Sequence, residues 1–409
     1  MALPLPPGPS ESPAEQQEHY QSDPLGYLTS CRERFGESFT TRHAQPDFPR
    51  VFISNPADVQ AVFAEPANTL AAAKAVVRAY GERSVVLLEG DEHLERRRLM
   101  LPAFHGEKLQ RHEQTIAEIA DAEVESWPLD EPFALLPRRR ALTLQVILRN
   151  IFGVTDPEAL ALIVEALGRS AGLTELREVL DTWMLGEIEA RRSDPQLAER
   201  GDILSMLILA RFDDGSEIDD AEICDQLFTL LNASFETTAT SLAWTLDLLL
   251  HNPPALDRLL AELDEGESEE YLNCVVKESL RLRPVLMLTG RTLAADLETE
   301  SLSLPAGTTA SAAIWLINTR PELYPEPLAF QPERFLENPP TTYGWLSYGG
   351  GPRRCLGAAF AELQIRTVLR SILTARTLVA ESAELERPKV RGITATPPNG
   401  VRVIATPRS

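Results

Sequence analysis

From Asp219 to about His251 apolar residues recur at helical spacing, until Asn252, Pro253 and Pro254 stop the pattern. That is roughly nine helical turns, enough to be the central rod of a mainly helical protein. The middle of the rod reads ASFETT, Ala233 to Thr238. A carboxylate is expensive to bury in an apolar helix, so Glu236 calls for a chemical reason. Threonine and serine can bond back to the carbonyl four residues earlier, which loosens a helix locally and makes room beside it.

A second stretch carries reactive chemistry. Ser347–Gln364 reads SYGGGPRRCLGAAFAELQ. Gly349, Gly350 and Gly351 let the backbone turn tightly, and Pro352 stiffens the approach. Arg353 and Arg354 place positive charge next to Cys355. Leu356, Ala359, Phe360 and Leu363 then recur at helical spacing. A cysteine at a helix N-terminus beside arginines is expected to have a depressed pKa and to be largely thiolate, hence a nucleophile or a metal ligand.

Composition excludes several alternatives. The other three cysteines, Cys31, Cys224 and Cys274, are far apart with no CxxC pair, which fits a reducing compartment and offers no structural zinc site. The six histidines show no close metal spacing. A net charge of −22 argues against nucleic acid as a partner. No run of about 18 apolar residues exists to span a membrane, and the proline-rich, acidic start lacks the features of a signal peptide. The expectation is a soluble, cytoplasmic protein.

Along the chain, residues 1–22 read as an extended lead. A short helix over Pro24–Phe35 and strands at Ser38–Arg42 and Val51–Ser54 follow, with a turn at Gln45–Pro49 between the strands. Asn55 caps a helix to about Ala64. Pro66–Leu88 reads as irregular, and Glu107–Leu209 as helical. Arg391–Thr394 and Val401–Thr406 read as a hairpin around Pro397–Gly400.

The run YGGGPRRCLG, Tyr348 to Gly357, resembles the haem-binding signature of the cytochrome P-450 superfamily, with Tyr348 where the family usually has Phe. ASFETT resembles its oxygen-activation motif, with Ser234 in place of a glycine. Glu278 and Arg281 form an ExxR pair, PERF supplies Arg334, and His93 and Arg97 share one helical face.

The resemblance covers nearly the whole chain. It implies a mainly α fold with small β-sheets (α+β), a long central helix over haem b (iron protoporphyrin IX), and one haem-thiolate monooxygenase domain over residues 23–409. Cys355 would be the iron ligand, within a cofactor site formed with Ala233, Tyr348 and Gly357. His93, Arg97, Arg291 and Arg353 would bind the propionates. Glu278, Arg281 and Arg334 would make a buried network holding the cysteine loop. Glu236 and Thr237 would relay protons to the oxygen being activated. Val86, Ser234, Phe235, Leu286, Thr289 and Thr394 would line the substrate pocket.

The activity implied is hydroxylation of a hydrophobic small molecule, in secondary metabolism, with electrons from a ferredoxin or flavodoxin and its reductase. Arg96, Arg98, Lys108 and Arg354 would form a basic docking face for that partner. The same oxidant could instead close a ring or couple C–N or C–C bonds. A non-catalytic haem sensor fits less well with an intact Glu236–Thr237 pair.

Overall fold

The rod is the axis of the molecule. In the computed structural model it is a single helix, Asp220–Leu250, of 31 residues and about 46 Å. The structure describes residues 4–42, 49–65, 67–69, 74–169, 172–337 and 339–408. The Asp219 carboxylate caps the helix by accepting from the Glu222 amide at 2.9 Å. Every residue from Glu222 to Leu231 and from Thr238 to Leu249 is buried, so all faces of the helix are enclosed by protein. Between these two runs burial relaxes over Asn232–Thr237, around the polar motif.

Helices Leu135–Ile147 and Ala358–Ala375 lie along the rod, and Leu173–Arg192 crosses its N-terminal half. To one side is a four-stranded sheet, ordered Ser38–Thr41, Arg50–Ile53, Thr309–Ala313, Leu288–Thr292. Its middle pair is parallel and the outer pairs are antiparallel.

Several expectations need correction. Residues 13–22 are a helix, Pro13–Ser22, and residues 4–10 before it form no helix or strand. Ser12 and Glu15 close a full capping box there, which satisfies the exposed amides. Within the stretch read as irregular, Lys74–Tyr80 forms a helix, closed by Gly81 at φ +82°. Pro66, residues 70–73 and most of the Gln45–Pro49 turn lie outside the described residues.

The C-terminal hairpin pairs differently. Thr394–Thr396 folds back on Lys389–Arg391 around Gly392, whose φ of +60° makes the tight turn. Arg402–Pro407 instead sits between Arg376–Ala380 and Pro132–Ala134. Pro397–Gly400 therefore joins two sheets rather than two strands of one.

Below the rod, Glu278 and Arg281 are both fully buried and joined by two bonds of 2.6 and 2.8 Å. Arg334 reaches the same carboxylate at 3.2 Å. Arg281 also donates to the carbonyls of Asn318, Pro327 and Ala329. Asn318 continues the chain of bonds: its side chain accepts from the Leu346 amide and donates to the Ser347 hydroxyl. The network thus ends on the first residues of the cysteine loop. Truncating one partner strands a buried charge. Glu278→Ala is expected to lower unfolding free energy by about 3–5 kcal/mol, read as a shifted urea midpoint with an unchanged slope.

Candidate functional site

Polar motif and cysteine line one cavity of about 240 Å³. The rod contributes Thr229, Leu230, Ala233, Ser234, Thr237 and Thr238, and the cysteine segment contributes Arg353, Arg354, Cys355, Leu356 and Gly357. Thr229, Ala233 and Thr237 are spaced by four, so one face of the helix lines the space. That spacing from Thr237 was the available signal for Thr229, which sequence reading missed. Nothing in the sequence pointed to Phe104, Ile151 or Phe360, which also line the cavity.

The cysteine loop is built tightly. Gly351 has φ +67°, and a Cβ there would collide with the Phe63 carbonyl, so only glycine lets the loop lie on that helix end. The Cys355 amide donates to Tyr348 O at 2.9 Å. The Tyr348 ring packs edge-on against Trp345, and its hydroxyl is buried with no hydrogen-bond partner among the described residues.

Cys355 corrects the expectation of a free thiolate. Its surface opens on the cavity, yet the surrounding protein still desolvates the sulfur, and this pushes the thiol up. The Gly357 amide, Arg354 and Arg97 pull it down, but by less. A bound metal cation would reverse the balance, since a coordinating thiol is deprotonated.

Beside the cysteine segment four basic side chains converge. His93, Arg97 and Arg353 line the cavity, and His93, Arg291 and Arg353 line a smaller adjoining recess. The Arg291 guanidinium lies 4.5 Å over the Phe63 ring, and Arg353 donates to Leu88 O at 2.5 Å. Burial lowers the pKa of each of the four. Next in effect for His93, which is held down to about 4, and for Arg291, pushed to about 10, are neighbouring cations. No ion pair with a carboxylate is formed by any of them among the described residues. A cationic cluster beside an apolar slot floored by a sulfur fits a flat, apolar, iron-bearing group with acidic side arms, which is haem b. Gly357 leaves its backbone bare on that side, with nothing within 4 Å of where a Cβ would stand.

The remaining predicted residues divide. Thr237 lines the cavity and donates to Ala233 O at 2.6 Å. Ser234 also lines it and donates to Leu230 O. Glu236 does not line it: successive helical residues are about 100° apart, and its carboxylate instead makes a two-bonded pair with Arg140 at 2.7 and 2.5 Å. Val86 lines the cavity, with Val85. Phe235 packs against the main core, Leu286 bridges to Thr394, and Thr289 sits in a strand opposite Ala312, so these four lie outside the lining.

The expected basic face is weakened. Arg96 pairs with Glu95 and Glu222, and Arg98 with Asp213, which neutralises both. The Lys108 side chain lies outside the described residues.

Comparison with known proteins follows the same lines. A family model described as Cytochrome P450 matches residues 167–403. Cytochrome P450 135B1 of Mycobacterium tuberculosis is 37% identical over 429 aligned positions, covering 98% of this chain and 91% of that protein. Cytochrome P450 137 of the same species is 39% identical over 382 positions, covering 86% and 79%. The solved structure of retinoic acid-bound cyanobacterial CYP120A1 matches all of both chains with a TM-score of 0.86 at 23% identity, a likeness of fold.

The low His93 pKa has a testable sign. Its ordinary value is 6.5, so between about 4 and 6.5 the unfolded chain binds the extra proton. In the haem-free protein the stability contributed by neutral His93 is complete above that window and lost as pH falls through it. His93→Gln is expected to flatten the fall in urea midpoint between pH 6.5 and 4.

Proposed function

The chain belongs to the cytochrome P450 family, and on that premise we propose that it oxygenates an apolar small molecule with electrons from a separate ferredoxin or flavodoxin and its reductase. Membership makes it a haem b monooxygenase. Cys355 would hold the haem iron through its sulfur, and the haem so bound would supply the dioxygen chemistry.

The observation that carries the reading is that Thr237 and Cys355 line one apolar cavity. His93, Arg97, Arg291 and Arg353 would take the two propionates, the three arginines supplying cations that pair with no carboxylate among the described residues. Val85, Val86, Ile151 and Leu230 exclude water and accept an apolar substrate. The Thr237 hydroxyl donates its hydrogen to Ala233 O and keeps its oxygen lone pairs free to accept in the cavity, so its own proton reaches the cavity only when the hydroxyl turns. Glu236, whose side chain is 24% exposed, is the solvent-side source of protons, and Arg140 fixes its position until it turns inward. Ser234 narrows the space next to Ala233 and adds a hydroxyl oxygen there.

For electron delivery, Arg354, Lys277 and Arg366 surround Glu362 near the cysteine. Arg366 is itself 4.0 Å from Glu269, so with Arg96 and Arg98 also paired, Arg354 and Lys277 are the better candidates for an acidic redox partner.

Turnover with ferredoxin, reductase and a ligand chosen by spin-state shift should give a product that gains one oxygen. A product that loses two hydrogens instead would identify ring closure or coupling. Thr237→Ala is expected to cut product formed per dioxygen consumed by at least about tenfold, by removing a positioned hydroxyl. Full coupling in that variant would refute the role of Thr237.

A further inference from the structure

Four hydroxyls of the long helix line the cavity: Thr229, Ser234, Thr237 and Thr238. A hydroxyl has one hydrogen to give and two lone pairs to receive with. Where its hydrogen goes decides what its oxygen offers a ligand. Three of these hydrogens are spent on the helix itself. Thr229 donates to Asp225 O at 2.7 Å, Thr237 to Ala233 O at 2.6 Å, and Ser234 to Leu230 O. Each carbonyl lies four residues back, so the bonds come with the helical repeat.

The three oxygens differ in what they keep. Val85 and Val86 close one side of the cavity, on a chain that Asp225 and Gln226 hold by bonds to the Arg83 and Val85 backbone. Ser84 of that chain shares a 2.7 Å bond with Thr229. Because the Thr229 hydrogen is committed to Asp225 O, Ser84 is the donor there, and Thr229 is engaged twice. Ser234 keeps both lone pairs, since no donor among the described residues reaches it. Thr237 keeps both as well, but it is the hydroxyl assigned above to oxygen activation. Thr238 has no hydrogen-bond partner among the described residues, so its hydroxyl can turn to suit a ligand.

The surroundings sharpen what Ser234 offers. Apart from these hydroxyls, the cationic cluster and the cysteine segment, the lining side chains are apolar, among them Val85, Val86, Ile151 and Leu230. A ligand O–H or N–H placed at Ser234 gains a hydrogen bond and leaves no group unsatisfied. A ketone or ether oxygen at the same place sets lone pairs against lone pairs. A carboxylate there adds a desolvated charge to that repulsion.

We propose that Ser234 determines specificity: the cavity selects apolar substrates that carry a hydrogen-bond donor, a hydroxyl or an N–H, and anchors them by that donor on Ser234 Oγ, a selectivity that rests on the cavity being the substrate site. Ser234 and Thr237 are spaced by three, so the anchor stands on the turn next to the hydroxyl assigned to oxygen activation. A serine that only narrowed the space would affect ligands by size, whatever polar group they carried. An anchor on Thr237 would keep its preference for donors after Ser234 had lost its hydroxyl.

The test is the dissociation constant of two matched ligands, 2-adamantanol and 2-adamantanone, measured by titration calorimetry on the haem-loaded protein. They share one cage skeleton, and only the alcohol can donate. In Ser234→Ala the alcohol is expected to bind about tenfold more weakly, as for one hydrogen bond lost in an apolar site, while the ketone stays within about twofold of its wild-type constant or tightens. Ser234→Gly lacks the same hydroxyl and serves if Ser234→Ala takes up no haem. A parallel change for both ligands, or an alcohol constant that neither variant alters, would overturn the assignment of Ser234. A wild-type protein that binds neither ligand would overturn the reading of the cavity as an apolar substrate site, and the selectivity with it. The readout needs no turnover. Donor-selective binding without any oxygenated product refutes the monooxygenase reading alone. An active enzyme in which both ligands respond alike to loss of the Ser234 hydroxyl refutes the selectivity alone.

Discussion

A sulfur that must carry negative charge inside a protein needs compensating charge close by and a backbone that cannot relax away from it. Cys355 has both. The Gly357 amide, Arg97 and Arg354 favour the anion, yet burial outweighs them and keeps the thiol above its ordinary value. The protein therefore stops short of a free thiolate and leaves the last step to the metal. Rigidity comes from the opposite direction. The buried Glu278–Arg281 pair fixes Asn318, Asn318 fixes Leu346 and Ser347, and the cysteine loop starts from there. Because the loop cannot slacken, the sulfur stays aimed into the cavity.

The long helix serves two neighbours with different faces. Thr229, Ala233 and Thr237 look into the cavity, while Asp225 and Gln226 hold the wall that closes it. Several hydroxyls on so buried a helix are tolerable because they are satisfied within it, the Thr240 hydroxyl being buried without a partner among the described residues. Thr229, Ser234, Thr237, Ser241 and Thr245 each bond back four residues to a carbonyl. Thr237 is thereby held in place without a partner from another element.

Much of the site was legible in the sequence because its logic is local. The ExxR pair is set by a spacing of three on one helix, His93 and Arg97 by a spacing of four, and the cysteine loop by its glycines. The capping box of Pro13–Ser22 was equally local, with Ser12 three residues before Glu15, and was simply passed over. What stayed hidden depends on distant chain meeting. Arg140 and Glu236 are 96 residues apart, Arg177 and Asp225 are 48, and Arg96 and Glu222 are 126. No spacing rule pairs such residues, so Arg96 was read as a free surface charge. The thiol pKa was misjudged for a related reason: the arginines beside Cys355 are visible in sequence, but burial is a property of the folded molecule.

Sulfur ligation of iron is the claim on which the rest stands, and the reduced carbonyl complex tests it most directly. The haem-loaded protein, reduced and treated with carbon monoxide, should show its Soret band displaced to the long wavelength that only a thiolate trans to the carbonyl produces, and Cys355→His should abolish that displacement. A wild-type Soret band at the shorter wavelength of nitrogen-ligated haem, or purified protein that takes up no haem at all, would contradict the account.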